Sequence, residues 1–257
     1  MIDLHVHVLP GIDDGARDEA AAIALVSEAV ATGVTTIAAT PHLRADHPHV
    51  RPFELAERTA RLQAALDRAG VAAELVTAGE VDLRWAQRAG ADELKAVSYG
   101  GRGRDVLAEV PYGELKPEFE DLVFRLRVRG YRVLLAHPER NLTFQRSVDR
   151  LLALVQQGCL VQVTAAALAS RRRRSRSRKL ALALVREGIA HVIASDTHRE
   201  GGDRASLADA VDALRHDAPL RARWMVTEAP AAILAGDPLP PAPAERPRRG
   251  PLGLWRG

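Results

Sequence analysis

Residues 1–14 read MIDLHVHVLPGIDD, a short apolar run that ends on two histidines and is followed by two aspartates. The same arrangement returns in RVLLAHPERN at 132–141 and in VIASDTH at 192–198. Working outward from these three, runs rich in Val, Ile and Leu occur at Ile2–Val8, Thr35–Thr40, Glu74–Ala78, Val106–Val110, Arg132–Ala136, Leu160–Val163 and His191–Ala194. Most intervals between them hold helix-like stretches, among them Asp18–Thr32, Pro52–Ala69, Pro117–Arg129 and Lys179–Glu187. Gly33, Gly70, Gly130, Gly158 and Gly188 each stand just before the next run, where a helix ends in a left-handed cap. A β–α alternation with starts 26 to 39 residues apart predicts parallel strands joined by right-handed crossovers. Seven units predict an α/β barrel of seven strands, closed or nearly so, over residues 1–235. An open doubly wound sheet is the alternative, and either architecture places its chemistry at the carboxyl ends of the strands.

Composition agrees with a globular chain. The 257 residues are 47% hydrophobic and 27% charged, enough for one substantial core, which excludes a disordered or fibrous protein. The net charge of +3 is unevenly spread. Arg171–Lys179 carries seven cations and no acid, and the tail from Pro238 carries a net three, so the remaining body sits at −7. The basic overall balance is therefore no argument for nucleic acid, and no nucleic-acid partner is expected. The run itself reads as a solvated, self-repelling loop; the sharper reading is a surface that collects acidic partners or an anionic membrane. Gly236–Gly257, with six prolines and four arginines, reads as a flexible tail, disordered or loosely docked. Cys159 is the one cysteine, which excludes an internal disulfide and any thiolate metal cluster, and fits a reducing cytoplasm. With no signal-like opening and no apolar run long enough to span a bilayer, a cytoplasmic protein is expected.

The strand exits concentrate ionisable side chains. The first run ends in His5 and His7 with Asp13 and Asp14 following; the others end in His42, Glu80, Glu109, His137 and the pair Asp196 and His198, while the sixth ends in Thr164. His5 and His7, two apart on a strand, are expected on one face with Ile2, Leu4 and Val6 on the other. Singly, each of these residues is most simply a hydrogen-bonded core histidine or a paired acid. Together, so many ionisable groups at one rim would cost several kcal/mol per unpaired charge without a compensating cation. Imidazole with carboxylate suits Mn, Zn or Fe, and the ligand number points to two or three ions.

With these motifs in hand, MIDLHVHVLPGIDDGA, TTIAATPH, AGEVDL, LAEVPY, LLAHPERN and VIASDTH together resemble the bacterial tyrosine phosphatases of the polymerase and histidinol phosphatase (PHP) superfamily, the CpsB/YwqE-like branch. The resemblance runs from Met1 to about Leu234. It implies a distorted (β/α)7 TIM-like barrel, up to three divalent ions, usually manganese, and hydrolysis of phosphotyrosine on proteins. It implies one ion on His5, His7, Glu80 and Asp196, a second on Glu80, Glu109 and His137, and a third on Asp14, His42 and His198. Arg140 and Arg204 would bind the phosphate. The implied partner is a phosphotyrosine-bearing protein, such as a membrane-associated tyrosine kinase of polysaccharide export. The chain departs from the branch at Thr164, at its arginine run and at TEAPAAIL near residue 230, none of which removes a proposed ligand.

A phosphomonoester dianion resists nucleophiles, so the expected chemistry is direct attack by a metal-activated water without a phosphoenzyme. Trp85, Tyr99 and Tyr112 are the aromatic candidates for a substrate ring, although each is more simply a packing residue. Within the same superfamily a small-molecule phosphatase of the histidinol-phosphate kind, or a phosphodiesterase, would use the same ligands. A catalytically inert barrel serving as a binding module is disfavoured because no ligand is missing.

Overall fold

The computed structural model describes residues 1–172, 174–199 and 205–245. Among these, nine strands fall into two sheets, and every pairing is parallel. The first sheet orders β1 (Ile2–Val6), β2 (Thr36–Ala39) and β4 (Glu74–Thr77). The second orders β3 (His42–Leu43), β5 (Glu80–Val81), β6 (Asp105–Glu109), β7 (Arg132–Ala136), β8 (Leu160–Thr164) and β9 (Val192–Ala194). Helices cover the outer face, packing on Val6, Ile37, Val106, Val133, Val161 and Ile193. A separate inner cluster gathers Leu4, Ala38, Leu107, Leu134, Leu160 and Val192.

The sheets meet at two places. The second and third apolar runs are each interrupted, so that β2 passes to β3 through Thr40 and Pro41, and β4 to β5 through Ala78 and Gly79. Ala78 N–H donates to the Ala39 carbonyl (3.0 Å) and Glu80 N–H to the Pro41 carbonyl (3.0 Å), carrying the pairing across the interruption. Proline supplies no ladder donor, and a Cβ on Gly79 would come within 2.5 Å of Leu43 Cδ2 and 3.1 Å of Val97 Cβ. At the other junction, Asp196 N–H donates to the His5 carbonyl (2.8 Å) and His7 N–H to the Thr197 carbonyl (2.9 Å).

Two local expectations are corrected. Strict alternation fails in β1, where the register slips between Asp3 and Val6. Leu4 joins the inner cluster and Val6 the outer one, so they do not share a face. A bulge of this kind re-aims side chains beside a site. The helix expected from Lys179 begins at Arg176, inside the arginine run, because Ser175 caps it by accepting from the Arg178 N–H. Short helices such as Leu83–Arg88 and Ala91–Val97 were hidden between Gly79 and the next strand by their brevity.

At the rim remote from the ligands, Leu239 packs on both apolar clusters and Glu245 accepts from the Arg221 N–H (2.7 Å). His191 lies under this segment, its Nδ1 accepting from the Val161 N–H (3.1 Å). Burial, reinforced by Arg221 and Arg132, lowers its imidazolium to about 4. The unfolded chain therefore takes up a proton near pH 6.5 that the native chain refuses, so stability is complete above that pH and declines toward pH 4. Denaturant titrations at pH 7 and 4.5 should show His191→Asn losing about 2 kcal/mol less than the wild type on acidification. An equal loss in both proteins would remove His191 from the acid limb.

Candidate metal centre

The strand exits converge. His5, His7, Glu80 and His137 are fully or almost fully buried, and His42 and Asp196 nearly so. His5 Nε2 stands 3.1 Å from His7 Nε2, 3.2 Å from Asp196 Oδ1 and 3.3 Å from Glu80 Oε2. Glu80 Oε2 is also 2.9 Å from His42 Nδ1 and 3.5 Å from His7 Nε2, while its Oε1 is 3.0 Å from His137 Nε2. Asp14 Oδ1 lies 3.5 Å from both His42 Nε2 and His198 Nε2. Ligand atoms close enough to share an ion form three groups: His5 with His7 and Asp196; His7 with Asp14, His42 and His198; and His42 with Glu80 and Glu109. All nine expected metal residues thus lie in one region. His7 and His42 each belong to two groups, whereas His137 reaches the region through Glu80.

The donor set fits divalent cations. Glu80 Oε2 and His42 Nδ1, although buried and close, make no hydrogen bond to any partner. Buried nitrogen and oxygen atoms this close, with no hydrogen bond of good geometry to satisfy them, are what a cation would join. The outer nitrogens are tied down. Asp13 accepts from His7 Nδ1 (2.8 Å), Gln162 from His5 Nδ1 (3.1 Å), and the Asp196 carbonyl from His198 Nδ1 (3.0 Å), leaving each Nε2 lone pair directed inward. Burial would raise the Asp13 carboxyl, but His7 and the N–H groups of Gly15 and His42 hold it down to about 2. Burial likewise opposes charge on Glu80, and His5, His137 and His42 outweigh it, keeping the carboxyl well below its usual range. Burial raises Glu109, and the neighbouring Glu80 adds to it. His137 and Asp196 sit in the left-handed backbone region, with φ of 39° and 55°. For side chains other than glycine such strain of order 1–3 kcal/mol marks a functional constraint. Gly15 permits the loop bearing Asp13 and Asp14, since a Cβ there would lie 2.1 Å from the His7 carbonyl oxygen.

Arg140 leaves β7 on the turn Pro138–Arg140, its Nη1 2.6 Å from Asp196 Oδ2 and 3.0 Å from the Tyr112 hydroxyl. Glu139, the nearer acid in sequence, turns away to accept from the Thr164 N–H (2.9 Å) and hydroxyl (2.7 Å). Arg204 lies outside the described residues. Tyr112 is 55% exposed beside His137, with ring centroids 5.4 Å apart, and is the aromatic that faces the centre. Tyr99 is a core residue whose hydroxyl donates to the Leu4 carbonyl (2.9 Å), and Trp85 packs against the core. Sequence reasoning missed Arg44, whose Nη1 is 3.0 Å from Glu109 Oε1, and the orienting role of Gln162; neither carries a motif. His47 stacks on His42 at 5.6 Å.

Cys159 stands just before β8 at the far rim, 1% exposed, and burial pushes its thiol up to about 11. A thiol that stays protonated and lies away from the centre is no nucleophile. Cys159→Ser should keep turnover within about twofold of wild type; an inactive variant with intact metal content would reinstate a cysteine mechanism.

A parallel α/β scaffold with a buried imidazole–carboxylate cluster at its strand ends defines the class of metal-centred hydrolase folds. Residues 1–234 match the family described as capsular polysaccharide synthesis, CpsB/CapC, and the chain belongs to that family. Tyrosine-protein phosphatase YwqE of Bacillus subtilis (strain 168) is 28% identical over 249 residues, spanning 96% of this chain and 97% of the relative. CapC of Staphylococcus aureus is 31% identical over 204 residues, 77% of each chain. A crystal structure from the pair YwqE of Bacillus subtilis and CpsB of Streptococcus pneumoniae, metal-dependent tyrosine phosphatases, superposes with a TM-score of 0.82 at 28% identity, covering 96% of this chain and 100% of the other. The phosphotriesterase of Mycobacterium tuberculosis, 15% identical with a TM-score of 0.57 over 91% of this chain and 93% of its own, shares the fold.

Proposed function

We propose that the chain is a metal-dependent protein-tyrosine phosphatase. The observation that carries this reading is Glu80 Oε2, buried among three imidazoles with no hydrogen bond of its own, in a chain of the CpsB/CapC family. The hydrogen bonds joining the two sheets support one distorted (β/α)7 barrel, with residues 1–235 as the catalytic unit and the Pro/Arg-rich 236–257 as its extension. The nine residues His5, His7, Asp14, His42, Glu80, Glu109, His137, Asp196 and His198 would hold two or three divalent ions, manganese first, with zinc or iron as substitutes.

When bound, such ions supply charge neutralisation for the phosphoryl oxygens and acidify water at neutral pH. The chain's own groups do the rest. Asp13, Gln162 and the Asp196 carbonyl fix the imidazole tautomers. Arg140 presents a planar fork to two phosphoryl oxygens, its position set by Asp196 and Tyr112. The exposed Tyr112 ring offers a face to the aromatic ring of the substrate. Among the described residues no helix is long and apolar enough to cross a membrane. The reading places the enzyme in the cytoplasm, acting on a tyrosine kinase of polysaccharide export.

The test compares a phosphotyrosine peptide, histidinol phosphate and single-stranded DNA with manganese, with and without chelator. Peptide turnover that the chelator abolishes is expected. Preference for histidinol phosphate or DNA would move the chain to another activity on the same ligands.

A further inference from the structure

The arginine run takes no part in the centre above. Among the described residues, Arg171, Arg172, Arg174, Arg176, Arg178 and Lys179 have no carboxylate within ion-pair distance, whereas nearby Arg146, Arg150 and Arg186 are paired with Glu114, Glu120 and Asp217. The helix Arg176–Arg186 carries cations and no acid in its first turn, against its own dipole. Local stability gives no reason for them. Arg178 Nε is moreover buried without a partner.

Of these cations, Arg176, Arg178 and Lys179 wall a cleft of about 530 Å³ between that helix and the segment 144–148, together with the paired Arg146 and Arg186, the apolar Phe144, Val148 and Leu180, and a single acid, Glu187. The cleft starts beside the centre. Gln145 Nε2 donates both to the Glu139 carbonyl (2.8 Å), next to Arg140, and to the Ser177 hydroxyl (3.1 Å) in the first turn of the helix. We propose that this cleft docks an acidic peptide segment flanking the phosphorylated residue of the substrate. The inference rests on the phosphatase reading and adds the class of sequence recognised. A concave channel with apolar and cationic walls matches an extended acidic chain, which can place side chains in it, better than a flat lipid surface.

The experiment uses the full chain with manganese and compares R176Q/R178Q/K179Q with wild type on three substrates: a phosphotyrosine peptide with an Asp/Glu-rich flank, one with a neutral flank, and p-nitrophenyl phosphate. The expected result is a fall of about tenfold or more in kcat/KM for the acidic peptide, carried by KM, with a flatter salt dependence. The other two substrates should be unaffected. Equal kcat/KM for the acidic peptide in both proteins would overturn the proposal, and so would equal losses on all three substrates. Fluorescence anisotropy of the labelled acidic peptide, read without turnover, separates the two layers: arginine-dependent binding without hydrolysis of any substrate would sustain docking and sink the phosphatase reading. Arginine-dependent binding to phosphatidylglycerol vesicles with unchanged peptide kinetics would give the run to a membrane instead.

Discussion

Glu80→Gln should yield a folded protein that retains less than its full metal complement and loses at least about a thousand-fold in turnover. Glu80 is the acid on which most imidazoles converge: His5, His7 and His42 face one of its oxygens and His137 the other. An amide keeps the volume but replaces one charged oxygen by an N–H donor, which repels a cation as well as failing to bind it. The several kcal/mol of charge stabilisation lost at the reacting phosphoryl group correspond to that rate. Elemental analysis of the reconstituted variant, circular dichroism and phosphotyrosine-peptide kinetics measure the three quantities. A variant with full metal content and wild-type turnover would remove Glu80 from the centre.

Arg140→Ala should lower kcat/KM by about a hundred-fold while metal content stays constant, the scale of deleting one oriented donor to a transition-state oxyanion. Burial disfavours the charged guanidinium, but Asp196, Glu139 and Tyr112 outweigh it and keep the cation firmly protonated. Arg140→Lys should recover only part of the loss, since a point charge does not reproduce the two-pronged geometry. If the alanine variant instead loses metal, the 2.6 Å contact to Asp196 is a support for that carboxylate and Arg140 leaves the chemistry.

The strand exits were legible because each ends a short apolar run on a residue that a packed interior does not tolerate alone, and order along the chain was enough to assign them one rim. The β–α rhythm was legible for the same reason: Val, Ile and Leu runs separated by alanine-rich helices. The bulge in β1 was not, since IDLHVHV alternates as text and the slip shows only in the pairing with β2. Nor was the division of β2 from β3, where Pro41 could equally have begun a loop. Arg140 and Glu139 stand side by side in HPERN, and the text does not tell which one faces the centre; opposite charge draws Arg140 to Asp196, and Thr164, 25 residues away, takes Glu139. Gln162 was unreadable because a glutamine on a buried strand gives no sign of which imidazole it will steady.

The left-handed backbone at His137 and Asp196 has an evolutionary corollary. Glycine would adopt those torsions freely, whereas histidine and aspartate, although commoner there than most side chains, hold them at a cost that their side chains' role offsets. A descendant that gave up its ions would be released from that bargain and should drift to the more comfortable residues. These two positions can therefore sort working enzymes from retired ones in a bare list of sequences.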